Sequence, residues 1–252
     1  MNNKNDLIMN TNATIEKMQQ MRLHGLKKAY EASFETGQNN SLTNDEFLAW
    51  LIEGEWDERV GRKTERLVKT ARFRYQASVE EISFAPEREL DRNLFTRLAD
   101  CSFIDRGENI IVTGSTGAGK SFLATALGYQ ACLKGYKTQY FNLGRLFDKL
   151  TMAKAGGTYM KELGRIEKQN LLILDDFGLQ VIDNEKQLML LDIIEDRHGK
   201  KSTIITSQIP VKVWHELLEE KTIADAFLDR VTHSAHRFEL KGESMRKKMR
   251  KQ

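Results

Sequence analysis

The chain has few of the residues that indicate crosslinks, rigid linkers or membrane spans. Its 252 residues include two prolines and two cysteines. Cys101 and Cys132 stand alone, without a second cysteine or a histidine at a spacing suited to zinc, so we expect reduced thiols in the core. No apolar run approaches the length that spans a bilayer, and residues 1–14 are polar, unlike a signal peptide. These absences favour a cytoplasmic protein.

Composition and apolar spacing divide the chain into four parts. With 40% hydrophobic residues it can form a core, and the scarcity of proline favours helices. We predict a disordered N-terminus over 1–13 and an all-helical domain over 14–78, which ends in a long basic helix at 57–76. A connector over 79–105 leads to an α/β domain over 106–252, which includes a basic C-terminal tail.

Residues 114–121, which read GSTGAGKS, match G-x-x-x-x-G-K-[ST] at every constrained position. An apolar run precedes them and an amphipathic run follows, which is the strand, loop and helix order of a phosphate-binding P-loop. Backbone N–H groups and the helix N-terminus would surround the phosphates, Lys120 would reach the β- and γ-phosphates, and Ser121 would bind Mg²⁺. We predict that a nucleoside triphosphate binds at Gly114, Ser115, Thr116, Gly117, Ala118, Gly119, Lys120, Ser121 and Phe122.

The α/β domain alternates predicted strands and helices, which is typical of a parallel sheet. We place its five strands at 109–113, 137–142, 170–175, 202–207 and 237–240. Along the chain, the strand at 137–142 comes between the P-loop strand and the strand at 170–175. We interpret it as the extra strand that motor-like ATPases insert between those two, and that nucleotide kinases and small GTPases do not have.

Two carboxylates follow the apolar residues 171–174, at the strand end where ligands of parallel sheets bind. We expect Asp175 to hold Mg²⁺, directly or through water. We expect Asp176 to orient the attacking water and to help deprotonate it.

Two further side chains are candidates for the hydrolysis step. Gln208 follows the strand at 202–207, where a polar side chain could sense the γ-phosphate; Ser207 is the second choice, and an ordinary strand end is the alternative. Arg230 lies near the end of an apolar-faced helix, where its guanidinium could contact the γ-phosphate of a neighbouring subunit. The alternative for Arg230 is a surface ion pair with Asp229.

Together these segments resemble the IstB-like ATPases. These are the helper proteins of a bacterial insertion-sequence family, close to the DnaC-type helicase loaders of the AAA+ superfamily. The resemblance covers residues 14–248. The matching segments are 114–121, 171–178 (LLILDDFG), 202–210 (STIITSQIP), 224–231 (ADAFLDRV) and 240–247 (LKGESMRK).

The resemblance implies an AAA+ ATPase that binds ATP with Mg²⁺, oligomerises on DNA and acts with a cognate transposase. It implies that Gln208 is the sensor and that Arg230 acts on a neighbouring subunit. Asp176 stands where most of the superfamily has Glu, so we expect slow hydrolysis that DNA or a partner stimulates. Too few residues follow Leu240 for the helical lid domain of many relatives, and Arg246 is the candidate substitute for the arginine of that lid.

Basic residues are the candidate DNA contacts. Between 57 and 76 they recur at steps of three and four, so a helix would carry them as a stripe that neutralises phosphates regardless of base sequence. The alternative is an ordinary solvated helix face. The candidates are Arg59, Arg62, Lys63, Arg66, Lys69, Arg72 and Arg74, with Lys154 and Lys161 between the second and third strands.

From these observations we expect an ATPase that oligomerises on duplex DNA and assists a partner transposase. The main alternative is a replicative helicase loader, which would bind single strands and a hexameric helicase. A small-molecule P-loop kinase fits less well, because no substrate lid is evident. An ATP-gated binding module without turnover is the remaining class.

Overall fold

The computed structural model describes residues 3–37 and 41–242, and the chain divides into two compact units, Met1–Arg66 and Leu67–Gln252. The division falls inside a long helix, whereas the sequence places the domain boundary at residue 78. The basic tail and Arg246 lie outside the described residues.

Helices form the first unit. They are α1 (Asn3–Gln20), α2 (His24–Thr36) and the first part of α3 (Asn44–Ala71). Two expectations are corrected: residues 3–13 belong to α1 instead of being disordered, and α3 is one continuous helix that ends before residue 76. Thr43 and Glu46 bond reciprocally at the start of α3, which satisfies N–H groups that the helix itself leaves without acceptors.

Within the first unit, α2 and α3 approach closely at two glycines. A Cβ on Gly25 would lie 2.1 Å from the Gly54 carbonyl oxygen, so a side chain would force the helices apart. The Glu55 carboxylate of α3 accepts bonds from the N–H groups of Gly25 (2.9 Å) and Leu26 (3.1 Å) at the start of α2. Burial acts to raise the pKa of Glu55, but these bonds and Arg59 outweigh it and leave the pKa lowered.

The second unit is built on a five-stranded sheet. Its strands are β1 (Asn109–Gly114), β2 (Thr138–Asn142), β3 (Leu171–Phe177), β4 (Ser202–Ser207) and β5 (Ala235–Leu240). All pairings are parallel and the order is β2-β3-β4-β1-β5. The predicted five-stranded α/β architecture is therefore confirmed.

The strand inserted between β1 and β3 differs from the sequence interpretation. It is β4, which pairs with both strands, while β2 lies at the edge of the sheet next to β3. Adjacency along the chain did not predict adjacency in the sheet, because each parallel pairing needs a crossover that can pass over other strands.

Helices cover both faces of the sheet, and strand residues alternate between two apolar cores. Ile110 and Ile173 belong to one core, whereas Ile111 and Leu172 belong to the other. The first core includes residues of α4 (Arg92–Ala99), α5 (Ser102–Asp105) and α6 (Lys120–Leu133). The second includes residues of α7 (Leu143–Ala155), α8 (Tyr159–Glu167), α9 (Asn184–Arg197) and α10 (Lys221–Thr232). Burial on both faces explains the continuous apolar runs of the central strands.

Short 3-10 turns complete the connections, at Val79–Glu81, Pro86–Arg88 and Val211–Leu217. Among residues 3–37 and 41–242, every helix is too short or too polar to span a bilayer.

Candidate nucleotide-binding site

The P-loop connects the end of β1 to the start of α6. Gly114 has φ +145°, and a Cβ there would lie 2.3 Å from the Leu240 carbonyl oxygen on β5, so only glycine fits. Gly119 has φ +92° and caps α6. The free N–H groups of the α6 N-terminus therefore face the loop, and they form an anion-binding end at the carboxyl edge of the sheet.

Lys120, the first residue of α6, is almost fully buried. Its ammonium donates to the carbonyl oxygens of Gly114 (2.8 Å) and Ser115 (2.9 Å). Burial lowers the pKa of Lys120, while the carboxylates of Asp176 and Asp175 act in the opposite direction. Because two neutral carbonyls hold the ammonium over the loop, its charge can pair with a phosphate group.

Asp175 is fully buried at the carboxyl end of β3. Ser121 donates to its Oδ1 at 2.7 Å, Thr206 of β4 donates to the same oxygen, and Tyr140 of β2 donates to Oδ2. Burial, and then the bond to Asp175, raises the pKa of Tyr140, so its hydroxyl stays protonated and remains a donor. Hydrogen bonds from three hydroxyl groups therefore replace those that the buried Asp175 carboxylate would make with water.

The Ser121 hydroxyl and the Asp175 carboxylate suit Mg²⁺, because hard oxygen ligands are those it prefers. Within the described residues there is no cluster of three or more His, Cys, Asp or Glu side chains that could hold a metal ion. Remaining ligands would have to be nucleotide phosphates and water, which is how Mg²⁺ commonly binds in phosphoryl-transfer sites.

Asp176 has a left-handed backbone, with φ +66°, and the register between β3 and β4 shifts at this point. Aspartate tolerates this conformation better than most residues. Asn142 donates to Asp176 Oδ2 at 2.9 Å, and the Asp176 N–H donates to Thr206 Oγ1 at 3.2 Å. The two adjacent carboxylates consequently have different surroundings: Asp175 is enclosed, whereas Asp176 is 18% exposed.

The positions of Arg72 and Arg74 differ from the prediction that both belong to the basic stripe of a helix. Helix α3 ends at Ala71, so Arg72 and Arg74 lie beyond it. The Arg74 guanidinium is 3.3 Å from Asp176 Oδ2 and 3.7 Å from Asp175 Oδ2. Arg74 therefore belongs to the candidate nucleotide site, while Arg72 is exposed with φ +56°.

Gln208 follows β4 at the same edge of the sheet. Thr116 of the P-loop donates to Gln208 Oε1 at 2.6 Å. Ser207, the second choice from sequence, is fully buried and donates to the Phe177 carbonyl oxygen at 2.8 Å. Of the two candidates, Gln208 is therefore the one whose polar group contacts the P-loop.

A cavity of about 760 Å³ lies at this site. It is lined by the P-loop, Asp176 and Gln208, together with residues between 74 and 88. Arg88 of the connector donates to the P-loop carbonyl of Ala118 at 3.0 Å. The lining residues outside the P-loop include Arg74, Tyr75, Gln76, Glu81, Ser83, Arg88, Phe122, Asp176, Leu179 and Gln208.

Arg230 does not line this cavity. It lies near the end of α10, with Nε 2.6 Å from Glu195 Oε2 on α9, and it also donates to the Ala226 carbonyl oxygen at 2.8 Å. The ion pair is thus with Glu195, and not with Asp229 as the sequence alternative had it. The arginine-finger role stays a prediction about an assembly of several chains.

The other candidate DNA contacts are exposed, and several lie beside acids. Arg59 Nε is 2.6 Å from Glu55 Oε1, and Lys154 Nζ is 3.3 Å from Glu185 Oε1. Arg62 Nε is 3.7 Å from Glu58 Oε1. Lys63, Arg66 and Lys69 are exposed on α3, and Lys161 is exposed on α8.

Four residues at the site were missed from sequence: Tyr140, Asn142, Thr206 and Arg88. The first three are polar residues in or at the end of predicted strands, and their position near the carboxyl edge was a usable signal. Arg88 lies in an irregular connector, and no pattern in the sequence indicated it.

The parallel sheet with β4 between β1 and β3, together with the P-loop, defines a P-loop NTPase of the AAA+ type. A family model described as IstB-like ATP binding protein matches residues 16–252. The chain belongs to this ATP-binding family, whose members include proteins of bacterial insertion sequences. The resemblance inferred from the sequence is therefore confirmed.

Individual relatives agree with this assignment. The chain is 41% identical over 238 residues to y4pL of Sinorhizobium fredii, which is named as an insertion sequence ATP-binding protein; the match covers 94% of this chain and 97% of the relative. Two crystal structures have a similar fold. DnaI matches with a TM-score of 0.58 and 21% identity, over 70% of this chain and 93% of that chain. The DnaC helicase loader matches with a TM-score of 0.53 and 22% identity, over 59% of this chain and 87% of that chain.

Proposed function

We propose that the protein is a Mg²⁺-dependent ATPase that assembles on duplex DNA and assists a partner transposase. The observation that carries the enzymatic part is the convergence of Lys120, Asp176 and Gln208 on one cavity. A module that only binds ATP needs the P-loop, but it does not need a carboxylate and an amide that line the same cavity.

Each side chain has a defined task in this proposal. Lys120 exchanges its two carbonyl acceptors for phosphate oxygens, and the α6 N-terminus binds the same anion. Ser121 and Asp175 would hold Mg²⁺, which when bound supplies positive charge to the phosphates. Gln208 senses the γ-phosphate from β4.

Asp176 is the base candidate in this proposal. Its carboxylate orients a water molecule for in-line attack and accepts a proton from that water. The water oxygen bonds to the γ-phosphorus while the bond from this phosphorus to the β,γ-bridging oxygen breaks, and ADP leaves. Asn142 holds the carboxylate, and Thr206 holds the backbone N–H. The shorter side chain, compared with Glu, is consistent with slow hydrolysis that DNA or a partner accelerates.

The DNA and transposase parts rest on two supports. Exposed basic residues on α3 can neutralise phosphates, and they carry no pattern of base readout. The relatives are named as insertion sequence ATP-binding proteins, and the family resemblance implies a cognate transposase. Target choice would then belong to the transposase.

The enzymatic proposal is tested by comparing Asp176→Asn with Lys120→Ala. Asp176→Asn should bind ATP normally and lose about 100-fold or more in turnover, because it removes the base and keeps the phosphate site. Lys120→Ala should weaken ATP binding by roughly 10- to 100-fold, because a charged hydrogen bond is lost. Affinity by calorimetry and phosphate release are the measurements. If Asp176→Asn turned over ATP at the wild-type rate, Asp176 would not be the general base.

The DNA proposal is tested with Arg62, Lys63, Arg66 and Lys69 changed together to alanine. Duplex affinity should fall equally for all base sequences, and the slope of log affinity against log salt should flatten by up to about 0.9 per lost contact. DNA-free ATPase activity should stay the same. The matched control replaces four exposed lysines of the second unit, Lys134, Lys137, Lys168 and Lys200. Equal slopes of log affinity against log salt in the two variants would contradict the proposal that these α3 residues contact DNA.

A replicative helicase loader shares this fold, so strand preference separates the two functions. The proposal predicts that ATP-bound protein prefers duplex over single-stranded DNA of equal length. A strong preference for single strands would favour the loader function instead.

A further inference from the structure

Arg74 contacts both acids of the candidate site while much of its side chain remains exposed. Its Nη1 atom lies 3.3 Å from Asp176 Oδ2 and 3.7 Å from Asp175 Oδ2, and 46% of the side chain is accessible to solvent. Asp175 is fully buried, and Asp176 is the base of the proposed reaction. The guanidinium therefore pairs with the two acids that the reaction needs, from a position that an anion in solvent can reach.

A constrained turn after α3 places Arg74 there. Gln139 of β2 donates to the Ala71 carbonyl oxygen at 3.1 Å, and the Phe73 ring packs against the first apolar core. Between these two anchors, Arg72 has φ +56°, a left-handed conformation that few residues other than glycine adopt. Because this conformation is unfavourable for arginine, it persists only where the surrounding contacts impose it. The turn thus fixes the backbone next to Arg74, so that a change of partner involves the side chain.

Two exposed cations precede Arg74 by a few residues. Lys69 lies in the last turn of α3, and Arg72 lies in the turn that follows. Exposed lysine and arginine side chains bind the backbone phosphates of DNA whatever the base sequence. Since a DNA strand is a continuous row of phosphates, a strand held by Lys69 and Arg72 offers further phosphates to Arg74. The planar guanidinium suits phosphate as well as it suits carboxylate.

We propose that Arg74 exchanges one anion for another: it pairs with Asp175 and Asp176 in the nucleotide-free protein, and with a backbone phosphate when DNA binds. In the first state, its positive charge opposes a metal ion at Ser121 and Asp175, and it occupies the carboxylate that must orient water. In the second state, both acids are available. DNA thereby opens the site to ATP with Mg²⁺.

Because the two partners of Arg74 exclude each other, DNA and nucleotide are coupled in both directions. DNA favours the state in which Arg74 has left the acids, and ATP with Mg²⁺ favours the same state. Each ligand must then strengthen the binding of the other by the same factor. A partly exposed ion pair favours the first state by up to about five-fold, which sets the size of the coupling.

This inference rests on the proposed function, because it assigns a regulation to the same ATP site, but its tests measure binding and need no turnover. If DNA and nucleotide bind as stated and no ATP is hydrolysed, the enzymatic proposal alone fails. If ATP is hydrolysed and the coupling does not depend on Arg74, this inference alone fails.

The first test measures duplex affinity without nucleotide, by fluorescence anisotropy at fixed salt. Asp176→Asn should bind a labelled duplex about two- to five-fold more tightly than the wild type, because Arg74 has lost an acid that competes with phosphate. The same substitution in an Arg74→Ala background should change the affinity little. Asp196→Asn is the matched control, since it removes an equal charge from an exposed position on α9. Equal gains from the two asparagine variants, or a gain that persists without Arg74, would overturn the proposal.

The second test measures the affinity of ATPγS with Mg²⁺ by calorimetry, with and without saturating duplex. In the wild type, DNA should tighten ATPγS binding by up to about five-fold. Arg74→Ala and Arg74→Gln should bind ATPγS tightly without DNA and gain little from it; circular dichroism verifies that both fold. Arg72→Ala, the control from the same turn, should retain the response at saturating DNA. A full DNA response in the Arg74 variants, or no response in the wild type, would refute the exchange.

The third test repeats the DNA-free measurement in EDTA. The tighter binding of ATPγS by Arg74→Ala should require Mg²⁺, because it arises from removing a charge that opposes the metal ion. Binding that is weaker than wild type both with Mg²⁺ and in EDTA would show that Arg74 holds the phosphates of the nucleotide, and it would exclude a competition between Arg74 and the metal ion.

Discussion

Among single residues, Arg74 links the segment that follows α3 to the candidate catalytic acids. Its guanidinium lies within 3.7 Å of one Asp175 oxygen and within 3.3 Å of one Asp176 oxygen. Two adjacent carboxylates repel each other, and a cation between them lowers that cost. A metal ion at Ser121 and Asp175 would also supply positive charge. In the nucleotide-loaded site, Arg74 would therefore contribute less to reducing the repulsion between the two carboxylates.

We predict that Arg74→Ala lowers the stability of the nucleotide-free protein by about 1 kcal/mol, because a half-exposed ion pair is lost. Mg²⁺ with ATP should then raise the melting temperature more in this variant than in the wild type, since it replaces the missing charge. Thermal unfolding with and without Mg²⁺ and ATP measures both effects. Arg72→Ala is the control from the same loop. A smaller nucleotide-induced shift in Arg74→Ala would mean that Arg74 itself binds phosphate.

At the scale of elements, Arg197 joins parts of the second unit at the edge opposite the site. It is the last residue of α9, it is 1% exposed, and burial lowers its pKa to about 9. Its guanidinium donates to the carbonyl oxygens of Ile166 (3.1 Å), Gln169 (3.0 Å) and Ser202 (2.5 Å), and to Thr203 Oγ1 (3.1 Å). The end of α8 and the start of β4 are thereby fixed to α9.

We predict that Arg197→Met lowers the free energy of unfolding by about 3 kcal/mol or more, because several buried carbonyls lose their donor together. ATP affinity measured well below the melting temperature should be unchanged, since the site lies at the other edge of the sheet. Urea denaturation gives the first quantity and calorimetry the second. Lys200→Met, an exposed neighbour, should change neither. A loss below about 1 kcal/mol would show that water replaces the guanidinium.

For the whole molecule, the open question is whether one chain completes its own ATP site. Arg230 pairs with Glu195 in the same chain and lies away from the cavity. An arginine in that position can reach a γ-phosphate only across an interface. The rate per subunit should therefore rise with protein concentration or with DNA.

We predict that Arg230→Ala binds ATP normally but hydrolyses it poorly. An equal mixture with Lys120→Ala should recover up to about a quarter of the wild-type rate, the share of interfaces that pair an intact P-loop with an intact arginine. Glu195→Gln, which removes the ion pair within the chain and leaves the guanidinium, is the control and should retain activity. No recovery on mixing, together with a rate independent of concentration, would indicate a self-contained site.

The P-loop, the five strands and the two acids at the carboxyl end of β3 could all be inferred from sequence. These features rest on local physics: glycines allow left-handed backbone at φ values that few other residues adopt, and apolar runs bounded by polar residues form buried strands. Gln208 could be proposed for the same reason, because the carboxyl ends of parallel strands converge on one edge. Helix boundaries were less accurate, since α3 continues through Gly54 and Gly61, where local propensity would allow a break.

Other features depend on contacts between residues far apart in the chain, and only the tertiary structure decided them. The position of β4 between β1 and β3 follows from which crossover passes over which strand. Arg74 looked like one cation of a basic helix until the end of α3 at Ala71 turned it toward Asp176, 102 residues away. Sequence determined the chemistry of each side chain; the fold decided which of them share a site.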